Sequence, residues 1–135
     1  MVTAVDTNVL LDVFTNAPRF GLASAECLRR CLRDGSVIAC DVVWAEIAAA
    51  FGQRQALEQA MGPLGIGFSG LGKEAALEAG KYWVEYRTGG GPRERVLADF
   101  LVAAHALCQA DRLLTRDRGF YRLCFTRLTV LDPSA

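Results

Sequence analysis

Asp6, Glu46, Asp99 and Asp117 are carboxylates set in apolar stretches of the chain, where an unpaired charge is costly or takes up a proton. Asp6 directly follows Val2-Thr3-Ala4-Val5, Glu46 lies within VVWAEIAAAF, Asp99 lies within VLADFLVAAHA, and Asp117 follows Leu113-Leu114-Thr115 by two residues. Such acids need a partner. Two carboxylates about 5 Å apart repel by roughly 3 kcal/mol at an effective dielectric of about 20, so four together call for a dication or for protons. Hard oxygen donors, with few nitrogen or sulfur candidates in the chain, select Mg2+ or Mn2+ over Zn2+. An ion held this way acidifies a bound water, grips a phosphate oxygen and neutralises a leaving oxyanion, so the expected reaction class is phosphodiester hydrolysis. The rival account makes the four acids unrelated caps and surface charges, which serves for any one of them but poorly for all four jointly.

The elements that position these acids alternate between strand and helix. After the first strand, Val9, Leu10, Leu11 and Phe14 fit a short helix, and Pro18 marks a break. Ala25, Leu28, Cys31 and Leu32 recur with helical spacing, and Asp34-Gly35 supplies a stop. Val37-Ile38-Ala39-Cys40 reads as a second strand, with Asp41 as N-cap of the helix bearing Trp44, Ile47 and Phe51. A helix over 53–61 and a third strand at Ile66-Gly67-Phe68 follow. Leu71, Ala75, Ala79, Tyr82 and Tyr86 form the apolar stripe of the next helix, whose aromatic members are expected in the core or a subunit interface. Thr88-Gly89-Gly90-Gly91-Pro92 breaks the chain before a long helix from about 93 or 94 to 110. Strands at 113–115 and 128–131 flank a short helical segment at 119–124. Parallel pairing follows from this alternation, and in a parallel sheet every strand ends at one edge, where ligands bind. Asp6 and Asp117 follow strands and Glu46 and Asp99 lie in early helical turns, so all four are expected at that edge. Asp12 reads as a solvated turn of the first helix, and Asp132 as part of a marginal fifth strand.

Composition narrows the class. The chain has 135 residues, 52% of them hydrophobic, with zero formal net charge, which suits a single domain over 1–135 and excludes a disordered chain. The N-terminal apolar residues are interrupted by Asp6, Asn8 and Asp12, which fits neither a secretory leader nor a membrane span. Five cysteines without a C-x-x-C pair suit free thiols in a reducing cytoplasm. Cys27 and Cys31 share a helix face, but no further Cys or His cluster completes a four-ligand site. All but two of the cations are arginine, the better phosphate fork. Arg93, Arg116 and Arg118 are the candidates for contacts to a nucleic-acid backbone, against the alternative of a solvated surface.

Val5-Asp6-Thr7-Asn8-Val9-Leu10-Leu11-Asp12, the isolated Glu46, LADFLVAAHAL around Asp99 and LLTRDRGFY around Asp117 together resemble the PIN-domain ribonucleases, and more narrowly the VapC-type toxins of toxin–antitoxin pairs. The resemblance spans almost the whole chain. It implies a three-layer α/β/α sandwich around a parallel five-stranded sheet ordered 3-2-1-4-5, and Mg2+- or Mn2+-dependent cleavage of RNA. It carries Asp6, Glu46, Asp99 and Asp117 over as the catalytic, metal-holding quartet, and it implies a homodimer and a cognate antitoxin that covers the acidic pocket.

Asn8 and Thr115 sit beside quartet members as orienting groups, with helix capping and a buried strand hydroxyl as their rival roles. His105, the sole histidine, lies six residues from Asp99 on another helix face and is expected as a satisfied core or interface imidazole. Two further functions stay open: a PIN-type RNA-processing nuclease without an antitoxin, and a non-catalytic RNA- or protein-binding module, which retention of all four acids disfavours.

Overall fold

In the computed structural model, which describes residues 1–91 and 96–134, five strands pair in parallel. They are β1 (Val2–Val5), β2 (Ser36–Cys40), β3 (Gly67–Ser69), β4 (Arg112–Leu114) and β5 (Val130–Leu131), in the order β3-β2-β1-β4-β5. Seven α-helices among the described residues connect them: α1 (Thr7–Thr15), α2 (Gly21–Asp34), α3 (Asp41–Phe51), α4 (Arg54–Met61), α5 (Gly72–Thr88), α6 (Leu97–Gln109) and α7 (Arg118–Cys124). The chain steps from β1 through β2 to β3, then returns to add β4 on the far side of β1. The β1-β2-β3 connections carry α1–α4, and those leading to β4 and β5 carry α5–α7, in the expected α/β/α sandwich.

Register sets the edge where the acids emerge. Thr3 stands opposite both Val37 and Arg112, and Val5 opposite Leu114. The ladder continues one residue further, since Asp6 N donates to Leu114 O at 2.9 Å, which lays Asp6 beside Thr115. Short strands suffice because both faces are covered: Ala4, Val5, Val37, Ala39, Leu113 and Leu114 are all buried.

Phe100 anchors the second helical layer. Its ring meets Trp83 at 5.2 Å, Tyr86 at 5.3 Å, Phe120 at 5.4 Å and Phe125 at 5.8 Å between centroids, tying α5, α6 and α7 together. The α5 aromatics thus belong to this packing, as does Tyr82, 4.3 Å from Phe125. Because Phe100 follows Asp99 and Phe120 lies in the first turn after Asp117, the same cluster fixes where two of the acids leave their helices.

Three expectations need correction. Val96 is extended, with φ −110° and ψ 162°, so α6 begins at Leu97; positions 93–95 of the expected start lie outside the described residues. Asp41 is the first residue of α3 rather than its cap, which is Cys40. Pairing of Cys40 with Ser69 brings the start of α5 over α3, and Asp41 Oδ1 accepts from Leu71 N at 3.1 Å instead. Asp12 is no solvated residue but is 5% exposed. Gly35 owes its place to close approach: a Cβ there would stand 1.9 Å from Met1 O, the carbonyl that accepts from Ser36 N. No helix among the described residues is long and apolar enough to cross a membrane.

Candidate active site at the carboxyl edge of the sheet

Asp6 caps α1, its Oδ1 accepting from Thr7 N at 2.8 Å. Its Oδ2 accepts from Thr115 Oγ1 at 2.8 Å, Tyr121 OH at 3.3 Å and Asn8 Nδ2 at 3.4 Å. The carboxyl is buried, and loss of hydration lifts its pKa from 3.8 to about 6; the charge of Asp99 pushes the same way, while the donors from Thr115, Thr7 and Tyr121 pull it down. The carboxyl therefore gives up its proton at about pH 6, well above an ordinary aspartate.

Asn8 and Thr115 both donate to this carboxylate. Thr115 Oγ1 has one proton and two acceptor sites and uses all three: it donates to Asp6 and accepts from Asn8 Nδ2 at 3.3 Å and from Asp117 N at 3.1 Å. Asn8 Oδ1 accepts from Arg116 N at 3.2 Å, which settles which end of its amide faces which neighbour.

The other three acids lie at the same edge of the sheet. Glu46 is exposed on α3, and its Oε1 accepts from the hydroxyl of Thr7, the residue beside Asp6, at 2.8 Å. Asp99, in the first turn of α6, turns Oδ2 back to Val96 N at 3.4 Å. Asp117 is the residue preceding α7. Asp6, Asp99 and Asp117 all act on the phenol of Tyr121, which burial first and their charges second push well above its usual pKa of 10. Tyr121 is the member that sequence reasoning missed. Its position one turn after Asp117 on a helix was the available signal, since residues four apart share a face.

By donor type the set suits Mg2+ or Mn2+, because carboxylate and hydroxyl oxygens surround Asp6. By distance, no three Asp, Glu, His or Cys side chains among the described residues stand close enough together to hold an ion. Glu46 is bonded to the Thr7 hydroxyl, and Asp99 to the Val96 amide.

The arginines divide. Arg118 is half-exposed and meets Oδ2 of Asp132, whose own side chain is buried, at 3.4 Å. Arg116 has its guanidinium engaged within the fold, by Asp12 and by the face of Phe20. Arg93 lies outside the described residues. Asn8, Arg116 and Asp117 line an open cleft of about 270 Å³ at this edge. His105 stands apart, as expected of a core imidazole. It is buried with Nε2 2.9 Å from Ser69 Oγ; that hydroxyl's own proton goes to Gln109 Oε1, so His105 is the donor.

The model of the PIN domain family matches residues 3–126. No curated protein matches the chain in sequence. Three solved structures share its fold: VapBC2 from Rickettsia felis bound to a DNA fragment from their promoter, with TM-score 0.77 and 18% identity over 98% of each chain; VapBC-1 from nontypeable Haemophilus influenzae, with TM-score 0.74 and 23% identity over 100% of each chain; and FitAcB from Neisseria gonorrhoeae, with TM-score 0.74 and 21% identity over 98% of each chain. With its strand order, its acidic sheet edge and a family match covering nearly its full length, this chain belongs to the PIN-domain family.

Proposed function

We propose that the chain is an endoribonuclease that hydrolyses RNA phosphodiester bonds with Mg2+ or Mn2+, and that it is the toxin of a toxin–antitoxin pair. The observation that carries this reading is the Asp6 carboxylate, buried at the strand edge, furnished with side-chain and backbone donors and pushed up to about pKa 6 beside Asp99. A carboxylate in that position gains from a bound cation, because attraction to the cation offsets both the hydration loss and the repulsion that raise its pKa. Asp6, Glu46, Asp99 and Asp117 would hold the ion, with Glu46 leaving Thr7 and Asp99 leaving the Val96 amide to do so. A bound divalent ion supplies an acidified water and charge neutralisation at the phosphate. Thr115 and Asn8 keep Oδ2 of Asp6 aimed while this happens, and Arg118 offers an exposed guanidinium to the RNA backbone.

The likeness to VapBC structures supports an antitoxin partner, and the absence of a membrane-crossing helix among the described residues is compatible with action in the cytoplasm. Leu77 and Val84 are exposed seven residues apart on α5, a spacing that supports a homodimer through that face. The test is direct. Purified protein is incubated with RNA in Mg2+, Mn2+ or EDTA, alongside Asp6→Asn and Asp99→Asn. Cleavage that needs the ion and both acids is expected; cleavage that persists in EDTA overturns the reading. Growth arrest on expression, relieved by a small protein encoded next to the gene, separates a toxin from an RNA-processing nuclease.

A further inference from the structure

Arg116 lies between two residues of the acidic edge, Thr115 and Asp117, and sequence alone suggests that it grips RNA phosphate. The structure gives its guanidinium another task. Nε donates to Asp12 Oδ2 at 2.5 Å and Nη2 to Asp12 Oδ1 at 3.1 Å, a two-point fork. Asp12 is itself buried and further held by Ser24 Oγ from α2, 2.9 Å from Oδ2. The face of Phe20 lies 4.1 Å from the guanidinium carbon. At the other end of the residue, the backbone N–H of Arg116 donates to Asn8 Oδ1.

We infer that the Arg116–Asp12 pair is a positioning device that locks the 115–117 loop onto α1, so that Thr115 and Asp117 meet Asp6 in a fixed arrangement. Two residues of that loop reach three residues at or in α1: Thr115 to Asp6, the Arg116 amide to Asn8, and the Arg116 side chain to Asp12. Of these, the fork is the only charged pair, and it sits over a buried carboxylate that would be left without its counter-charge if the arginine were removed. Lysine is no equivalent, since an ammonium has neither the planar fork that meets Asp12 at two points nor a flat face to lie on Phe20. Arg116 is therefore a positioning residue acting through Asp117 and Asp6, not a phosphate contact. The inference rests on the reading of this edge as a metal-holding site.

Its test compares wild type with Arg116→Ala, Arg116→Lys, Asp12→Asn and the Arg116→Ala/Asp12→Asn double variant, each first confirmed as folded by circular dichroism. Titration with Mn2+ alone is expected to show affinity lowered on the order of 10- to 100-fold in every single variant, as when groups that orient metal ligands are lost. The double variant is expected to be no weaker than the worse single one, because both changes remove the same fork. RNA affinity in EDTA is expected to stay within about twofold, whereas a phosphate contact would lose tenfold or more on losing its charge. Unchanged Mn2+ affinity, effects that multiply in the double variant, or lost RNA affinity with intact Mn2+ uptake each overturn the inference. Amide exchange gives an answer that does not depend on the ion: Asp117 N–H, bonded to Thr115 Oγ1, should exchange faster in Arg116→Ala and Arg116→Lys, and unchanged exchange refutes the lock. Wild type that takes up no Mn2+ defeats the functional reading alone, while the exchange measurement still decides the role of Arg116.

Discussion

Replacing Asp6 by Asn should make the protein more stable in metal-free buffer as the solution moves from acid to neutral. The folded carboxyl titrates at about 6 and the unfolded one at 3.8, a rise dominated by loss of hydration. Because the folded pKa is the higher one, the folded state holds a proton that the unfolded state has released between these values. The stability this gives is fully present below about 3.8 and is lost as pH rises through about 6. At 1.36 kcal/mol per unit, the separation amounts to about 3 kcal/mol at neutral pH, or roughly 10 °C in Tm for a domain of this size. Asn carries no such charge, so its own bonding to Thr7, Thr115 and Tyr121 adds an offset that does not change with pH. The assay is chemical denaturation of both proteins in EDTA from about pH 4 to about pH 7.5. Wild type should lose about 2.5 kcal/mol relative to Asp6→Asn across that span. Millimolar Mg2+ or Mn2+ should return most of it to wild type alone, since only wild type gains a carboxylate ligand for the ion. Parallel curves in EDTA would show that Asp6 is not strained by its burial, and the electrostatic reasoning behind the site would fall.

Tyr121→Phe removes a donor that favours the charged form of Asp6, so it should move the Asp6 transition to higher pH and cost about 1 to 2 kcal/mol near pH 7.5 but less near pH 4, measured by the same denaturation series. A loss of equal size at both pH values would mean that the phenol serves packing alone. Gly35→Ala brings a methyl within 1.9 Å of Met1 O, which is backbone and cannot rotate away, so a thermal melt should show a loss of about 1 to 3 kcal/mol with Mn2+ affinity retained. Retained stability would mean that the β1–β2 edge is looser than described.

Period and punctuation in the chain were enough for the architecture. Apolar runs short enough to be buried on both faces, alternating with helical stripes, admit parallel pairing and little else, and a parallel sheet sends Asp6 and Asp117 to one edge whatever the details. Helix starts were less legible, because Asp41 has the chemistry of a cap and is a first-turn residue only through where β3 delivers Leu71. The partners of charged side chains were not legible at all. Nothing local distinguishes Asp12 from a solvated helix residue; it is buried because α2 covers it with Ser24 and β4 delivers Arg116 from 104 positions away. Tyr121 met Asp6 by the same route, across 115 positions. Residue type and spacing thus determined which acids could share an edge, whereas only tertiary packing decided which donors hold each one, since burial and hydrogen bonding depend on neighbours that the chain brings in from afar.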